Sequence, residues 1–194
     1  MALSAPEIPA LEVNTDYPRS LCLDGTNVTL RTMDEGDRDA MVAFARALPE
    51  EDLLFLRMDI TQPAVVDEWI AAISSGRRFS VLAEDKGEIV AYASLNRQDL
   101  SWARHLGEIR VIVGPDYRGS GLGSVLAHEI VSLARHNGLT KIVAQMARQQ
   151  SGARRVFQKL GFNVESLLAD WVIDRDGRTH DLLIMSFDVT GLTD

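Results

Sequence analysis

The stretch Ile109-Arg110-Val111-Ile112-Val113-Gly114-Pro115-Asp116-Tyr117-Arg118-Gly119-Ser120-Gly121-Leu122-Gly123 decides the fold, because its hydrophobic period changes in the middle. Before Gly114 the residues read as a strand over 106–113. After Gly121, the apolar set Leu122, Val125, Leu126, Ile130, Leu133 and Ala134 recurs at helical spacing and stops at Asn137-Gly138. The order is strand, glycine-rich turn, amphipathic helix. A helix start leaves several backbone N–H groups without intrahelical acceptors and carries partial positive charge, and glycine lets an anion approach the backbone closely. Arg118 adds a fixed charge beside it. A pyrophosphate is the natural guest.

Spacing separates the phosphate loops that compete for this text. A Walker loop needs Lys and then Ser or Thr after its last glycine, but Gly123 is followed by Ser124 and Val125, and the next Lys is Lys141. A dinucleotide fingerprint needs glycine at position 124 and an acidic residue about twenty positions later. Ser124 and the acid-free stretch 130–164 remove it. By itself the glycine run is also compatible with a tight turn that binds nothing.

Outward from the turn, the chain reads as mixed α/β. Strands are predicted at 28–33, 79–83, 89–95, 141–146, 164–172 and 181–187, and helices over 41–48, 64–73 and 153–160. Asp85-Lys86-Gly87 and Asp174-Arg175-Asp176-Gly177 supply turns, and 53–57 carries no clear period. Pro6, Pro9 and Pro18 give residues 1–26 the character of an extended arm. The expected organisation is this arm, one domain over 27–188 and a short tail at 189–194.

Composition bounds the function. The 194 residues are 46% hydrophobic and 25% charged, enough apolar side chain for one core. One cysteine, Cys22, excludes an internal disulfide and thiolate metal clusters, and suits a reducing cytoplasm. No basic residue precedes Arg19, the reverse of a signal peptide, and no apolar run approaches a membrane span of about 20 residues. No membrane is expected as a partner. A net charge of -8 argues against nucleic acid as a partner, and suits a cationic acceptor. Within that acidic chain, 130–164 holds Arg135, Lys141, Arg148, Arg154, Arg155 and Lys159 and no acid, which reads either as solvated helix faces or as a seat for a phosphorylated ligand.

The pattern Arg118-x-x-Gly121-x-Gly123, set between a strand ending in Val111-Ile112-Val113 and an amphipathic helix, resembles the acetyl-CoA signature of the GCN5-related N-acetyltransferases (GNAT family). Ala153, Phe157 and Lys159-Leu160-Gly161-Phe162 resemble that family's second motif, and Thr29-Leu30-Arg31 its opening strand, so the likeness covers roughly 27–188. The resemblance implies an α/β fold with a GNAT-like mixed central β-sheet flanked by helices. It also implies transfer of an acetyl group from acetyl-CoA, as co-substrate and without a metal, to a primary amine of a small molecule, peptide or protein lysine. Arg118, Gly119, Ser120, Gly121, Leu122, Gly123 and Ser124 would hold the pyrophosphate, Val111, Ile112 and Val113 would run beside the pantetheine arm, and Gln150 and Phe157 would border it. The basic island could meet the 3′-phosphate.

Acyl transfer to an amine needs a proton acceptor, because an unperturbed lysine-like amine has a pKa near ~10.4. Glu108, on the strand leading into the turn, is the candidate base, with a surface ion pair to Arg110 as the alternative reading. The family's frequent general acid, a tyrosine, is replaced by Phe157, which leaves Tyr92, Tyr117 and Ser151 as donors to consider. His105 is a further group near Glu108, while none of the four histidines has metal spacing. The replacement also motivates an alternative of another class, an acyl-CoA-binding regulatory module with weak or no turnover; a third reading is a phosphate-binding domain for another nucleotide. A homodimer through Leu182-Leu183-Ile184 is compatible with the sequence.

Overall fold

The computed structural model describes residues 16–53, 56, 58–97, 101–174 and 176–190. Strands β1 (Arg19–Leu23), β2 (Thr26–Thr32), β3 (Arg78–Asp85), β4 (Glu88–Arg97), β5 (Leu106–Val113), β6 (Lys141–Ala147), β7 (Asn163–Ile173) and β8 (Thr179–Asp188) form one sheet. Its order is β1-β2-β3-β4-β5-β6-β8-β7. Every described neighbour pair is antiparallel except β5 and β6. Helices α1 (Arg38–Ala47), α2 (Glu50–Leu53), α3 (Pro63–Ser74), α4 (Leu122–His136) and α5 (Ser151–Lys159) complete the fold.

The sheet separates two apolar clusters. On one face Leu122, Leu126 and Ile130 of α4 pack with Leu95, Ile109 and Ile142. On the other, Met41 and Phe44 of α1 and Val66 and Trp69 of α3 pack over Leu82 and Tyr92. Burying each large aliphatic side chain stabilises the fold by about 2 kcal/mol. The turn into α1 is fixed by polar contacts: Gly36 N–H donates to Asp34 Oδ1 at 2.8 Å and Asp34 N–H donates to Asp37 Oδ2 at 2.8 Å. Arg31 then clamps that turn to the sheet, bonding both Asp37 oxygens at 2.7 and 2.5 Å and Glu84 at 2.5 Å. Burial alone would raise the Asp37 carboxyl, but these hydrogen bonds hold it below the ordinary aspartate range.

Three expectations are corrected. Residues 19–23 are not arm: they form β1, eight residues before the expected start, because Asp24 (φ 48°) and Gly25 (φ 81°) turn the chain into a hairpin with β2. Of the rest of the expected arm, residues 1–15 lie outside the described residues. Val189 is not tail, since it is buried and its N–H donates to Thr140 O at 2.9 Å. Finally, β8 has both edges occupied, by β6 and β7, so Leu182-Leu183-Ile184 has no backbone groups left for a second subunit. The outer strand is β7, whose register shifts twice against β8 and whose Asp170 has φ 53°.

Candidate active site

The site begins where β5 and β6 part. Their parallel register ends at Ile109 opposite Ala144, after which β6 continues along β8 while β5 keeps only β4. Gly114 N–H donates to Val90 O at 2.9 Å, so by the two-residue alternation Ile112 and Arg110 direct their backbone groups to β4. Val111 and Val113 direct theirs into the gap. A small cleft of about 50 Å³ lies there, lined by Val111, Ile112, Met146, Gln150 and Phe157 among others.

The gap leads to the glycine turn. Gly119 (φ 83°) and Gly121 (φ 88°) adopt the left-handed conformation that favours glycine. The Ser120 hydroxyl donates to Tyr117 O at 2.7 Å and receives Leu122 N–H at 3.3 Å, and Ser124 N–H donates to Gly121 O at 3.0 Å. The N–H groups of Gly119, Ser120, Gly121 and Gly123 have no acceptor among the described residues. Four donors therefore remain at the start of α4, fewer than the whole run from Gly119 to Ser124. Arg118 is turned away from them: its Nε donates to Val113 O at 3.1 Å and its Nη2 pairs with Asp52.

Beyond the gap, Gln150 Oε1 accepts Ala147 N–H at 3.0 Å at the start of α5. Phe157 sits edge-on to Phe162, ring centroids 4.9 Å apart, and is buried where it borders the cleft. The basic island divides. Lys141 pairs with Glu165 at 3.2 Å and Arg148 with Asp181 at 3.1 Å, whereas Arg154, Arg155 and Lys159 on α5 meet no carboxylate among the described residues.

Glu108 is buried on β5, and Arg110 approaches its Oε1 at 3.4 Å. Both open onto a pocket of about 320 Å³ beneath α3, together with Arg77, Arg78, Tyr92 and Arg97. Arg110 and Leu56 line this pocket and the small cleft alike, so the two spaces adjoin. Tyr92 is buried there between Arg78 and Arg110. Desolvation pushes its phenol up, those cations oppose the shift, and no described residue shares a hydrogen bond with its hydroxyl. The other expected donors lie elsewhere. Tyr117 donates to Asp85 at 2.7 Å, a bond that pushes its pKa up to about 12, and Ser151 is exposed at the start of α5. His105 is exposed and lines neither space.

The charge of the pocket differs from that of the whole chain: among the described residues its lining has four arginines and one glutamate, against a net charge of -8 over the sequence. Arg77, Arg78 and Arg97 were not legible as site residues, because only the antiparallel pairing of β3 with β4 and of β4 with β5 brings them to Glu108.

Residues 39–162 match the family model described as the acetyltransferase (GNAT) family. The chain belongs to this family. It is an acetyltransferase. It is 24% identical over 162 residues to YwnH of Bacillus subtilis (strain 168), named as a candidate phosphinothricin acetyltransferase, covering 81% of this chain and 97% of that protein. It is 30% identical over 115 residues to the L-amino acid N-acyltransferase MnaT of Escherichia coli (strain K12), covering 59% of this chain and 66% of that one. Among solved structures, the GNAT superfamily phosphinothricin acetyltransferase from Sinorhizobium meliloti in complex with AcCoA superimposes with a TM-score of 0.73 at 22% identity, over 83% of this chain and 88% of that one. The mixed sheet flanked by helices is therefore the GNAT fold. Among the described residues, no helix is long and apolar enough to cross a membrane.

Proposed function

We propose that this acetyltransferase takes its acetyl group from acetyl-CoA and delivers it to the primary amine of a small-molecule acceptor, with Glu108 as the proton acceptor. The observation that carries the reading is the continuity of the gap beside Val111 and Val113 with the four unpartnered N–H groups of the glycine turn. The gap suits an extended polar arm that adds to the edge of β5, and the turn suits a pyrophosphate. Gly119, Ser120, Gly121 and Gly123 would hold the phosphates through their N–H groups. Val111 and Val113 would bond the pantetheine arm, with Ile112, Gln150 and Phe157 as walls. Arg154, Arg155 and Lys159 would take the 3′-phosphate.

A pocket of about 320 Å³ beside Glu108 suits a small acceptor. In the reaction the amine gives a proton to Glu108, directly or through water, and its nitrogen attacks the thioester carbonyl. A carbon–nitrogen bond forms, the carbon–sulfur bond breaks, and the nitrogen's second proton passes, directly or through water, to the departing thiolate, which leaves as the thiol. A thiol of pKa ~8.5 leaves without a strong acid, so Phe157 in place of a phenol is compatible with turnover. The single, exposed Cys22 supports a cytoplasmic location.

The test is thiol release from acetyl-CoA with a panel of amino acids, polyamines, aminoglycosides and lysine peptides, alongside calorimetric binding of CoA, ATP and NAD. Acceptor-dependent release with preferential CoA binding is expected. CoA binding without release from any amine would favour the regulatory module, and no CoA binding would sink the proposal.

A further inference from the structure

The floor of the larger pocket is ordered by strand register. Arg78 on β3 stands opposite Asn96 on β4, and Asn96 stands opposite Glu108 on β5, so the three form one row across the sheet. The next row, two residues along each strand, is Ser80, Ser94 and Arg110. Neighbouring strands are about 4.8 Å apart, which puts the backbones of Arg78 and Glu108 roughly 10 Å from one another with their long side chains directed into the same cavity.

Arg78 is held in an unusual state for a guanidinium. Its plane lies over the Trp69 ring, 5.0 Å from the centroid, and Trp69 is itself fixed by an Nε1–H bond to Ser80 Oγ at 2.9 Å. Its Nε donates to the neutral Asn96 amide, and its Nη2 has only the Met58 sulfur at 4.0 Å. No carboxylate among the described residues pairs with Arg78, and none accepts from its Nη1. Withdrawal from water pulls its pKa below the ordinary arginine value. Glu108 acts on it only at a distance, favouring the charged form without pairing, and a largely desolvated cation fixed in orientation and facing a cavity is better satisfied when an anion arrives. Arg110 differs, because Glu108 lies directly beside it.

We infer that Arg78 is the seat for an anionic group of the acceptor, so that the acceptor is an amine carrying a carboxylate or equivalent oxyanion, lying across the row with its anion at Arg78 and its amine at Glu108. This rests on the proposed amine acetylation and deepens it by naming the acceptor class. Arg78 touches the acceptor away from the reacting atoms, and acts in specificity rather than in proton transfer. Asn96 lies between the two ends, where its amide holds the guanidinium in place. Polyamines and lysine side chains, which bring a second cation to a pocket already rich in arginine, are disfavoured.

The experiment uses CoA-loaded protein and the twenty common L-amino acids, each beside its carboxamide, with spermidine as a cationic amine. Calorimetric binding of each amine is read as well as kcat/KM with acetyl-CoA. Wild type should bind or acetylate one or more of the acids at least tenfold better than the matched amide. Arg78→Met should lower that preference on the order of 10- to 100-fold, with Arg78→Lys recovering part of it and the amides changed less than threefold. Unchanged acetyl-CoA affinity shows that either variant is folded. The inference is overturned if acids and amides are handled alike, if Arg78→Met lowers both equally, if spermidine is the preferred amine, or if wild type binds none of the acids. Failure of acetyl-CoA and CoA to bind is a separate outcome that strikes the acetyl-transfer reading, and the acids and amides are then titrated into the unloaded protein and judged by the same criteria.

Discussion

The two halves of the site are built from different materials. On the α4 side of β5, the proposed cofactor half is backbone: four N–H groups of a glycine turn and the outward groups of Val111 and Val113. On the α3 side, the proposed acceptor half is side chain, with Arg78, Asn96, Glu108 and Arg110 standing on three strands. A backbone site needs a conformation, and many side chains can adopt it. A side-chain site needs particular residues at particular register positions. Substitutions in the two halves should therefore fail differently.

The largest expected effect is in the acceptor half. Glu108→Gln keeps the shape but cannot take a proton, and should lower kcat about 100-fold or more while leaving acetyl-CoA affinity unchanged. Undiminished turnover would remove Glu108 as the base and leave the Arg110 ion pair as its role. In the cofactor half, joint replacement of Arg154, Arg155 and Lys159 by alanine should weaken CoA about tenfold and dephospho-CoA much less, as measured by calorimetry. Equal losses for the two ligands would detach these residues from the 3′-phosphate. Gly121→Ala tests the turn itself. A Cβ there meets nothing within 4 Å, so the cost is conformational, about 1–2 kcal/mol for a left-handed alanine, and should weaken CoA and dephospho-CoA alike by about tenfold with acceptor binding preserved.

The smallest effect concerns the clamp that holds α1 against the acceptor side. Asp37→Asn should cost about 1 kcal/mol at neutral pH, because Arg31 retains Glu84. The folded-state pKa of Asp37 is depressed, so its contribution is complete above the unfolded value near ~3.9 and fades as pH falls through the folded one. Urea titrations of the two proteins should converge under strong acid. A gap that persists there would mean that the clamp acts through packing.

This division also explains what the sequence disclosed. The glycine turn, β5 and α4 are contiguous, and their change of period is visible within one short window. The β1–β2 hairpin has a local signal too, Asp24-Gly25, but Pro18 just before β1 gives the same segment the composition of an arm. The arginine pocket had none, since nothing local links Arg78 to Glu108 thirty residues away. The register that joins them passes through β4, and it depends on how three strands align rather than on what any one of them contains.

The outer strand β7 carries a consequence for handling the protein in concentrated solution. Trp171 and Ile173 are both 65% exposed on it, and an exposed apolar edge is ordinarily a template on which further chains can assemble into fibrils. The two register shifts and the left-handed Asp170 break that edge into short pieces, denying an incoming strand a continuous ladder. The irregularity in β7 thus shortens the template that its apolar margin offers, and deleting Asp170 should lengthen it, read as faster fibril growth in concentrated solution.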